Sequence, residues 1–195
     1  MVERVYLPHV PEELAVYVAY YRNVSNAAFL REQLLAGNHD FEYAFIDASM
    51  VISRRQIFAA TFRAINDLLH DRLKSRNVHS EIVFCLSSNN NIGEAFRRFG
   101  VGDATKNLIV VKVAEAADLT QDQVAEHLSA NVKGEEVVFR EEALEGISDI
   151  ARIRKIYKLP APSASKATNG VHPSASDLEH LEAQILGAMA LRGAT

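Results

Sequence analysis

The sequence is poor in cysteine, in long apolar runs and in positive charge. Its 195 residues include a single cysteine, Cys85, which excludes a disulfide framework and a zinc site built from several cysteines. A lone cysteine is typical of a reducing compartment, so we expect a location in the cytoplasm and the nucleus. No stretch approaches the roughly 18 apolar residues of a membrane span, so we expect no contact with a membrane.

Basic residues are the minority among the charged ones. The 21 lysines and arginines stand against 25 aspartates and glutamates, which gives a formal net charge of −4. Such a chain is not attracted to nucleic acid as a whole, so any RNA contact needs a local basic patch. Two clusters qualify: Arg97 with Arg98, and the cations of the segment 152–158. Both are also compatible with ordinary solvated helix faces, and the second suits a helix C-terminus.

The remaining composition is that of a globular protein, with 48% hydrophobic and 24% charged residues. The pattern predicts one α/β domain over 1–159 and a flexible linker over 160–176, where proline, serine and alanine replace aromatic residues. A C-terminal amphipathic helix is predicted over 177–195, because its apolar residues recur at helical spacing. An isolated helix of this length is marginal, so it must pack on its own domain or on a partner, and the sequence leaves both open.

Strand and helix patterns alternate along the predicted domain. Ser53 with Gln56, and Thr120 with Gln123, have the spacing of a capping box, and the first pair precedes a long amphipathic helix that continues to Leu73. Residues 43–52 fit a strand or a buried helical turn equally well. The remaining predicted segments are a hairpin of 2–7 with 14–21, buried strands at 82–86 and 108–113, a helix at 92–99, and a strand or extended connection at 135–139.

No group of residues has the pattern of a catalytic site. Cys85 lies inside the predicted strand 82–86, which favours an inert buried thiol over a nucleophile. His79 and Glu81 share one side of that predicted strand, either as a metal or acid–base pair or as polar residues at a solvated strand start. A zinc site needs three or four ligands. We therefore predict no catalytic residue, no bound metal and no cofactor.

The polar loop 87–91 leads directly into a predicted helix. A helix N-terminus favours an anion, so the loop suits a phosphate cradle, and an enzyme that binds a nucleotide or phosphate there is the alternative function. The asparagines are equally suited to capping the helix themselves. The Gly100–Gly102 pair lacks a third glycine and a P-loop lysine, and indicates a helix end followed by a turn.

The segment 75–101, SRNVHSEIVFCLSSNNNIGEAFRRFGV, resembles one known family. Its Glu-Ile-x-Phe-x-Leu-Ser, Asn-Asn-Ile and Glu-Ala-x-Arg-Arg-Phe-Gly elements are similar to those of the PRPK-binding proteins, the small kinase-binding subunits of the KEOPS (EKC) complex. Three more segments match in register, at 46–53, 108–113 and 150–159. Four matches in the same order make a coincidental resemblance improbable.

The resemblance implies an α+β fold with a small, largely antiparallel central sheet surrounded by helices, and a C-terminal helix after a flexible linker. It implies a non-catalytic subunit of the complex that makes threonylcarbamoyladenosine beside the tRNA anticodon, and a link to telomeres. Such a subunit binds the N-lobe of the atypical kinase/ATPase, meets the other subunits indirectly, and helps to recruit tRNA by its CCA end.

Two sets of site residues follow from combining the resemblance with the residue patterns. For the kinase, we expect the apolar anchor to be the stripe of the last helix, formed by Leu178, Leu181, Ile185 and Met189. For RNA, we expect contacts from Asn89, Asn90, Asn91, Arg97 and Arg98, with the basic helix 152–158 as second choice. A purely structural subunit without RNA contact is a further alternative.

Overall fold

An antiparallel sheet organises the chain. The computed structural model describes residues 1–115, 117–160 and 175–192. Its five strands are β1 Glu3–Val5, β2 Leu14–Arg22, β3 Ala44–Asp47, β4 Leu108–Glu115 and β5 Glu135–Val137. The order is β1-β2-β4-β3, with β5 also paired to β2, and all of these pairings are antiparallel. The predicted antiparallel sheet is confirmed.

Helices cover both faces of this sheet. They are α1 Ala27–Ala36, α2 Arg54–Leu69, α3 Val78–Cys85, α4 Ile92–Phe99, α5 Gln121–Asn131, α6 Ile150–Ile156 and α7 Ala175–Ala190. Alternate side chains of a strand point to opposite faces. The even-numbered residues of β2 from Val16 to Tyr20 lie in a core shared with α2, α3, α6 and α7. The odd-numbered residues from Ala15 to Tyr21 lie in a second core shared with α1 and α5. The fold is the α+β class expected from the resemblance.

The beginning of the chain follows its pattern. β1 and β2 form the predicted hairpin, with Glu3 opposite Val18 and Val5 opposite Val16. The ambiguous segment 43–52 contains β3 and then one turn of 3-10 helix, Ala48–Met50.

The two predicted helix caps differ in detail. At Thr120 the capping box is complete, with both reciprocal bonds to Gln123 present. At Ser53 only half is formed, because the Ser53 side chain accepts from the Gln56 amide while the Gln56 side chain turns to the Ile52 amide and the Tyr157 hydroxyl. α2 ends at Leu69, before the predicted Leu73, and Asp71 follows in the left-handed region with φ 53°.

The strand predicted at 82–86 is wrong, because these residues belong to α3. Asn77 caps this helix by accepting from the Ser80 amide. Every residue of α3 except Ser80 is buried, so the apolar run carries no helical periodicity that distinguishes it from a buried strand. His79 and Glu81 are therefore not at a solvated strand start, since they are 5% and 0% exposed.

The C-terminal helix α7 lies beside α2. Arg55 of α2 pairs with Glu182 of α7 at 2.6 Å, and Arg63, two turns further, contacts the Met189 carbonyl, so the two helices run in the same direction. Most of the predicted linker, residues 161–174, lies outside the described residues. No helix in the described ranges combines the length and apolarity needed to cross a membrane.

Candidate binding surfaces

The loop 87–91 is used largely to begin α4. Asn91 Oδ1 accepts from the Glu94 amide at 2.9 Å, as a helix cap does. Asn89 Oδ1 accepts from the Asn91 amide at 3.0 Å, and its Nδ2 donates to Glu94 Oε2 at 2.9 Å. Asn90 is exposed, and its side chain has no hydrogen-bond partner among the described residues. Because Glu94 places a carboxylate in the first turn, this geometry disfavours the phosphate cradle.

Arg97 and Arg98 lie side by side on α4 and share one acidic neighbour. The Arg97 side chain is 76% exposed, and its Nη2 is 3.6 Å from Glu94 Oε1. Arg98 is 26% exposed and donates to the same oxygen. One carboxylate faces two guanidinium groups, so the predicted cluster keeps a net positive charge.

Two concavities meet at Arg97. The first, of about 660 Å³, lies between α1, α3 and α4. The second, of about 560 Å³, lies between α4, the turn 102–107 and the start of α6. Arg97, Gly100, Gly102 and Asp103 line both of them. Arg97 therefore lies at the border between the two concavities, which together form one continuous surface. We call this border the Arg97 ridge.

The first concavity combines apolar walls with cations. Its apolar lining includes Leu34, Phe41, Tyr43, Phe45, Val83 and Phe96. Arg31 and Arg76 line it beside Arg97, and Arg31 pairs with Asp103 at 3.2 Å. Arg76 packs against Gly37, where a Cβ atom would come within 2.9 Å of its Nη1. Gly37 has φ +67°, a backbone conformation that favours glycine.

The second concavity joins the two basic clusters that the sequence singles out. Arg98, Lys106 and Arg152 line it together with Arg97. Of the second-choice helix 152–158, Arg152 lines this surface, while Arg154 donates to the Pro160 carbonyl at 2.9 Å. Arg31, Arg76 and Lys106 are not among the site residues predicted from the sequence. They come from three separate segments, so no local pattern signals them.

His79 and Glu81 serve the interior instead of forming a pair. Nε2 of His79 lies 3.0 Å from the Val113 amide nitrogen. Burial, with a smaller contribution from Lys112, lowers the pKa of His79 to about 3, so the ring is neutral. Glu81 Oε2 accepts from the amides of Lys74 and Ser75 at 3.0 and 2.8 Å. Residues two apart on a helix do not face each other, so the predicted shared side is wrong.

Cys85 is buried, as expected. Burial raises the pKa of its thiol to about 11, which keeps it protonated and unreactive. Ligand-type atoms of Asp67, Glu81 and Cys85 lie within 4.8 Å of one another. Nη2 of Arg192 is 3.4 Å from Cys85 Sγ and 4.0 Å from Glu81 Oε1, so a cation already lies against this group.

The predicted apolar stripe of α7 faces its own domain. Leu181, Ile185 and Met189 are at most 4% exposed and belong to the core beneath α2, while Leu178 is half-buried. In this docked position the first three side chains are covered and are not available on the surface. The role of this apolar stripe in kinase binding stays a prediction.

The exposed side of the same helices carries apolar side chains. Phe62 and Leu69 of α2 are 39% and 48% exposed, and Leu191, just after α7, is 61% exposed. Phe62 and Leu69 are seven residues apart, so they lie on one outward face of α2. Exposed apolar groups of this size are typical of protein–protein contacts when they cluster.

Comparison with known proteins shows which family the chain is similar to. Residues 21–193 match a family model described as kinase binding protein CGI-121. An EKC/KEOPS complex subunit cgi121 of Aspergillus terreus is 56% identical, over 99% of this chain and 97% of that protein. The corresponding subunits of Coccidioides immitis and Schizosaccharomyces pombe are 48% and 36% identical, over 100% and 96% of this chain and 99% and 98% of theirs.

Proposed function

The chain belongs to the kinase binding protein CGI-121 family, and from this membership we propose that it is a non-catalytic subunit of an EKC/KEOPS complex. In this role it binds the kinase/ATPase subunit and helps to recruit tRNA by the CCA end, for threonylcarbamoylation of the adenosine beside the anticodon. The observation that carries the proposal is the family match over 21–193, together with full-length relatives named as EKC/KEOPS subunits. A location in the cytoplasm and nucleus is part of the proposal and rests on the resemblance.

For the N-lobe of the kinase, we propose a contact on the outward side of α2 and the end of α7. The exposed apolar side chains Phe62, Leu69 and Leu191 support this choice, because a partner gains most by covering apolar surface. The stripe of α7 then acts indirectly: Leu181 and Ile185 hold the helix on its domain. This assignment modifies the hypothesis that the stripe itself is the anchor.

For tRNA, we propose that a single-stranded end lies across the Arg97 ridge. Apolar and aromatic walls in the first concavity suit an unpaired base, because bases stack on aromatic side chains. Arg98, Lys106 and Arg152 in the second concavity suit the phosphates that follow. Asn90 is exposed and free to offer hydrogen bonds, although it is not in the lining of either concavity.

The RNA proposal is tested with intact tRNA and with tRNA trimmed of its CCA end. We expect the purified chain to bind the trimmed tRNA about tenfold more weakly, because single-stranded contacts are lost. Equal affinity for both forms overturns recruitment by the CCA end. No measurable binding of either form, alone or with the kinase subunit present, favours the purely structural subunit.

The kinase proposal is tested by calorimetry with the purified kinase subunit. Leu69→Glu places a charge on the proposed surface, and we expect an affinity loss of about tenfold or more. Val138→Glu is the matched control, because Val138 is 40% exposed and lies after β5. Equal affinities for both variants exclude the α2 surface, while absence of binding by the wild-type chain contradicts kinase binding itself.

A further inference from the structure

Arg192 is buried although it lies two residues beyond the end of α7. Its exposure is 5%, and its guanidinium group stacks on the Phe84 ring at 3.8 Å. Nη1 donates to the Phe84 carbonyl, and Nη2 donates to Cys85 Sγ at 3.4 Å. Arginine is almost never fully buried unless it is paired, so this environment is specific for its charge and shape.

The acidic partner of Arg192 is Glu81 of α3. Glu81 is 0% exposed, and its Oε1 lies 4.0 Å from Nη2 of Arg192. Its other oxygen is held by the turn at Lys74 and Ser75. The Phe84 carbonyl belongs to the C-terminal turn of α3, where the helix dipole also favours a cation. The end of α7 is thereby attached to one place on α3.

A second arginine closes the end of α7 from the other side. Nη1 of Arg63 donates to the Met189 carbonyl at 2.6 Å, and its Nη2 donates to the Arg192 carbonyl at 3.2 Å. The Met189 carbonyl lies in the last turn of α7, where i+4 amide partners run out, and it also accepts from the Arg192 amide at 3.3 Å. Arg63 and Arg192 therefore connect the end of α7 to α2 and α3.

Apolar packing selects this position only weakly. Leu181, Ile185 and Met189 are spaced by four residues, so a shift of α7 by one turn would still put two of these three side chains onto apolar sites. A one-turn shift would instead remove the Arg192 guanidinium from Glu81 and Phe84. Burying an ion pair adds little net stability, but a pair of this kind is well suited to specifying register.

We propose that Arg192 is a positioning residue that fixes the register of α7 on α2 and α3 and thereby sets the kinase-binding surface. Leu191, the adjacent residue, is 61% exposed and belongs with Phe62 and Leu69 to the surface proposed for the kinase. The inference rests on the proposed kinase contact at α2 and α7.

The test uses full-length chain carrying Arg192→Met, or Arg192→Met together with Glu81→Gln. The double variant removes both buried charges and keeps an acceptor for the turn at Lys74 and Ser75. We expect hydrogen exchange in α7 to be about tenfold faster in both variants, with β2 and β4 unchanged. Affinity for the kinase subunit should fall about tenfold in both, while affinity for tRNA stays at the wild-type value.

The double variant separates positioning from stability. If Arg192 only stabilises the fold, removing both charges restores the melting temperature and the kinase affinity together. Positioning predicts that the melting temperature recovers and the affinity does not. Arg140→Met, at an exposed arginine, is the matched control and should change neither.

Wild-type kinase affinity in the double variant, or unchanged exchange of α7 in both variants, overturns the inference. If Arg192→Met alone does not fold, the double variant still decides. Absence of kinase binding by the wild-type chain is a failure of the proposed function and is recognised separately, because exchange of α7 reports on the register without the kinase.

Discussion

Arg192 and Arg97 present the same side chain in opposite environments. The Arg192 side chain is 1% exposed and is surrounded by a carbonyl, a thiol, an aromatic ring and a carboxylate of its own chain. The Arg97 side chain is 76% exposed, and among the described residues its ion-pair partner is Glu94, whose Oε1 lies 3.6 Å away. The buried guanidinium has its partners inside its own chain, although its Nε has no hydrogen-bond partner among the described residues, whereas the exposed one is available to an external anion. Position in the fold, more than residue type, separates a structural cation from a binding one.

The largest expected effect comes from placing a charge beneath α7. Ile185 is 0% exposed, so Ile185→Glu buries a carboxylate without a partner, and we expect a loss of about 4 kcal/mol or more in the free energy of unfolding. Urea denaturation followed by circular dichroism measures it. Ala183→Glu adds the same charge on the exposed side of α7 and should cost only about 0.5 kcal/mol. Similar losses in the two variants would mean that α7 does not pack as described.

The next effect concerns pH and the buried imidazole of His79. Its pKa is lowered to about 3 from the ordinary 6.5, so between these values the unfolded chain binds a proton that the folded chain does not. Stability contributed by this residue is complete above pH 7 and falls as the pH drops, by about 1.4 kcal/mol per pH unit below about pH 6.5. Between pH 7 and pH 5 we expect a loss of about 2 kcal/mol from this residue.

His79→Gln isolates this contribution, because glutamine keeps a polar group near Val113 and does not titrate. Urea denaturation at pH 7, 6 and 5 should show the free energy of the wild-type chain falling more steeply than that of the variant. Parallel pH dependences would contradict the neutral buried imidazole.

Substitutions of the exposed arginines should change tRNA binding and not the stability of the fold. Arg97→Glu with Arg98→Glu reverses the charge at the Arg97 ridge, and we expect tRNA affinity at low salt to fall about tenfold or more. The slope of log affinity against log salt should become shallower by about 1.4, the value for two phosphate contacts on a single strand. Fluorescence anisotropy over a range of salt concentrations measures both quantities.

A control with the same change in net charge is Lys133→Glu with Arg140→Glu, because both positions are exposed and outside the two concavities. If this control weakens tRNA binding as much as the ridge variant does, the interaction follows overall charge, and the Arg97 ridge is not the site.

The parts of the fold that the sequence predicts are those with one-sided burial or a local signal. β2 coincides with a recognisable run of branched and aromatic residues, and the Thr120 cap is set by residues three apart. α3 fails because it is enclosed on all sides, so its apolar run has no polar face to reveal the helix. The stripe of α7 is evident in the sequence, but an apolar stripe does not specify what covers it.

The candidate sites divide in the same way. Arg97 and Arg98 are adjacent in sequence and are visible as a cluster, whereas Arg76 and Lys106 join them only through the fold. Arg192 gives no sequence signal, since a single arginine near a chain end normally indicates an exposed residue. Its role depends on Glu81, more than one hundred residues away, and only the tertiary structure brings them together.

The smallest expected effect comes from removing the acidic partner of Arg97 and Arg98, which makes the contrast with the buried Arg192 greater. Glu94 holds Arg98 and attracts Arg97, so Glu94→Gln leaves both guanidinium groups freer and keeps an acceptor for Asn89. Exposed pairs of this kind are worth about 0.5 kcal/mol, so we expect tRNA affinity to rise about two- to threefold at low salt. Glu126→Gln removes the same charge from the exposed side of α5 and should leave the affinity unchanged. A fall in affinity in Glu94→Gln would mean that Glu94 positions the arginines for RNA instead of competing with it, and that this exposed pair resembles the buried one after all.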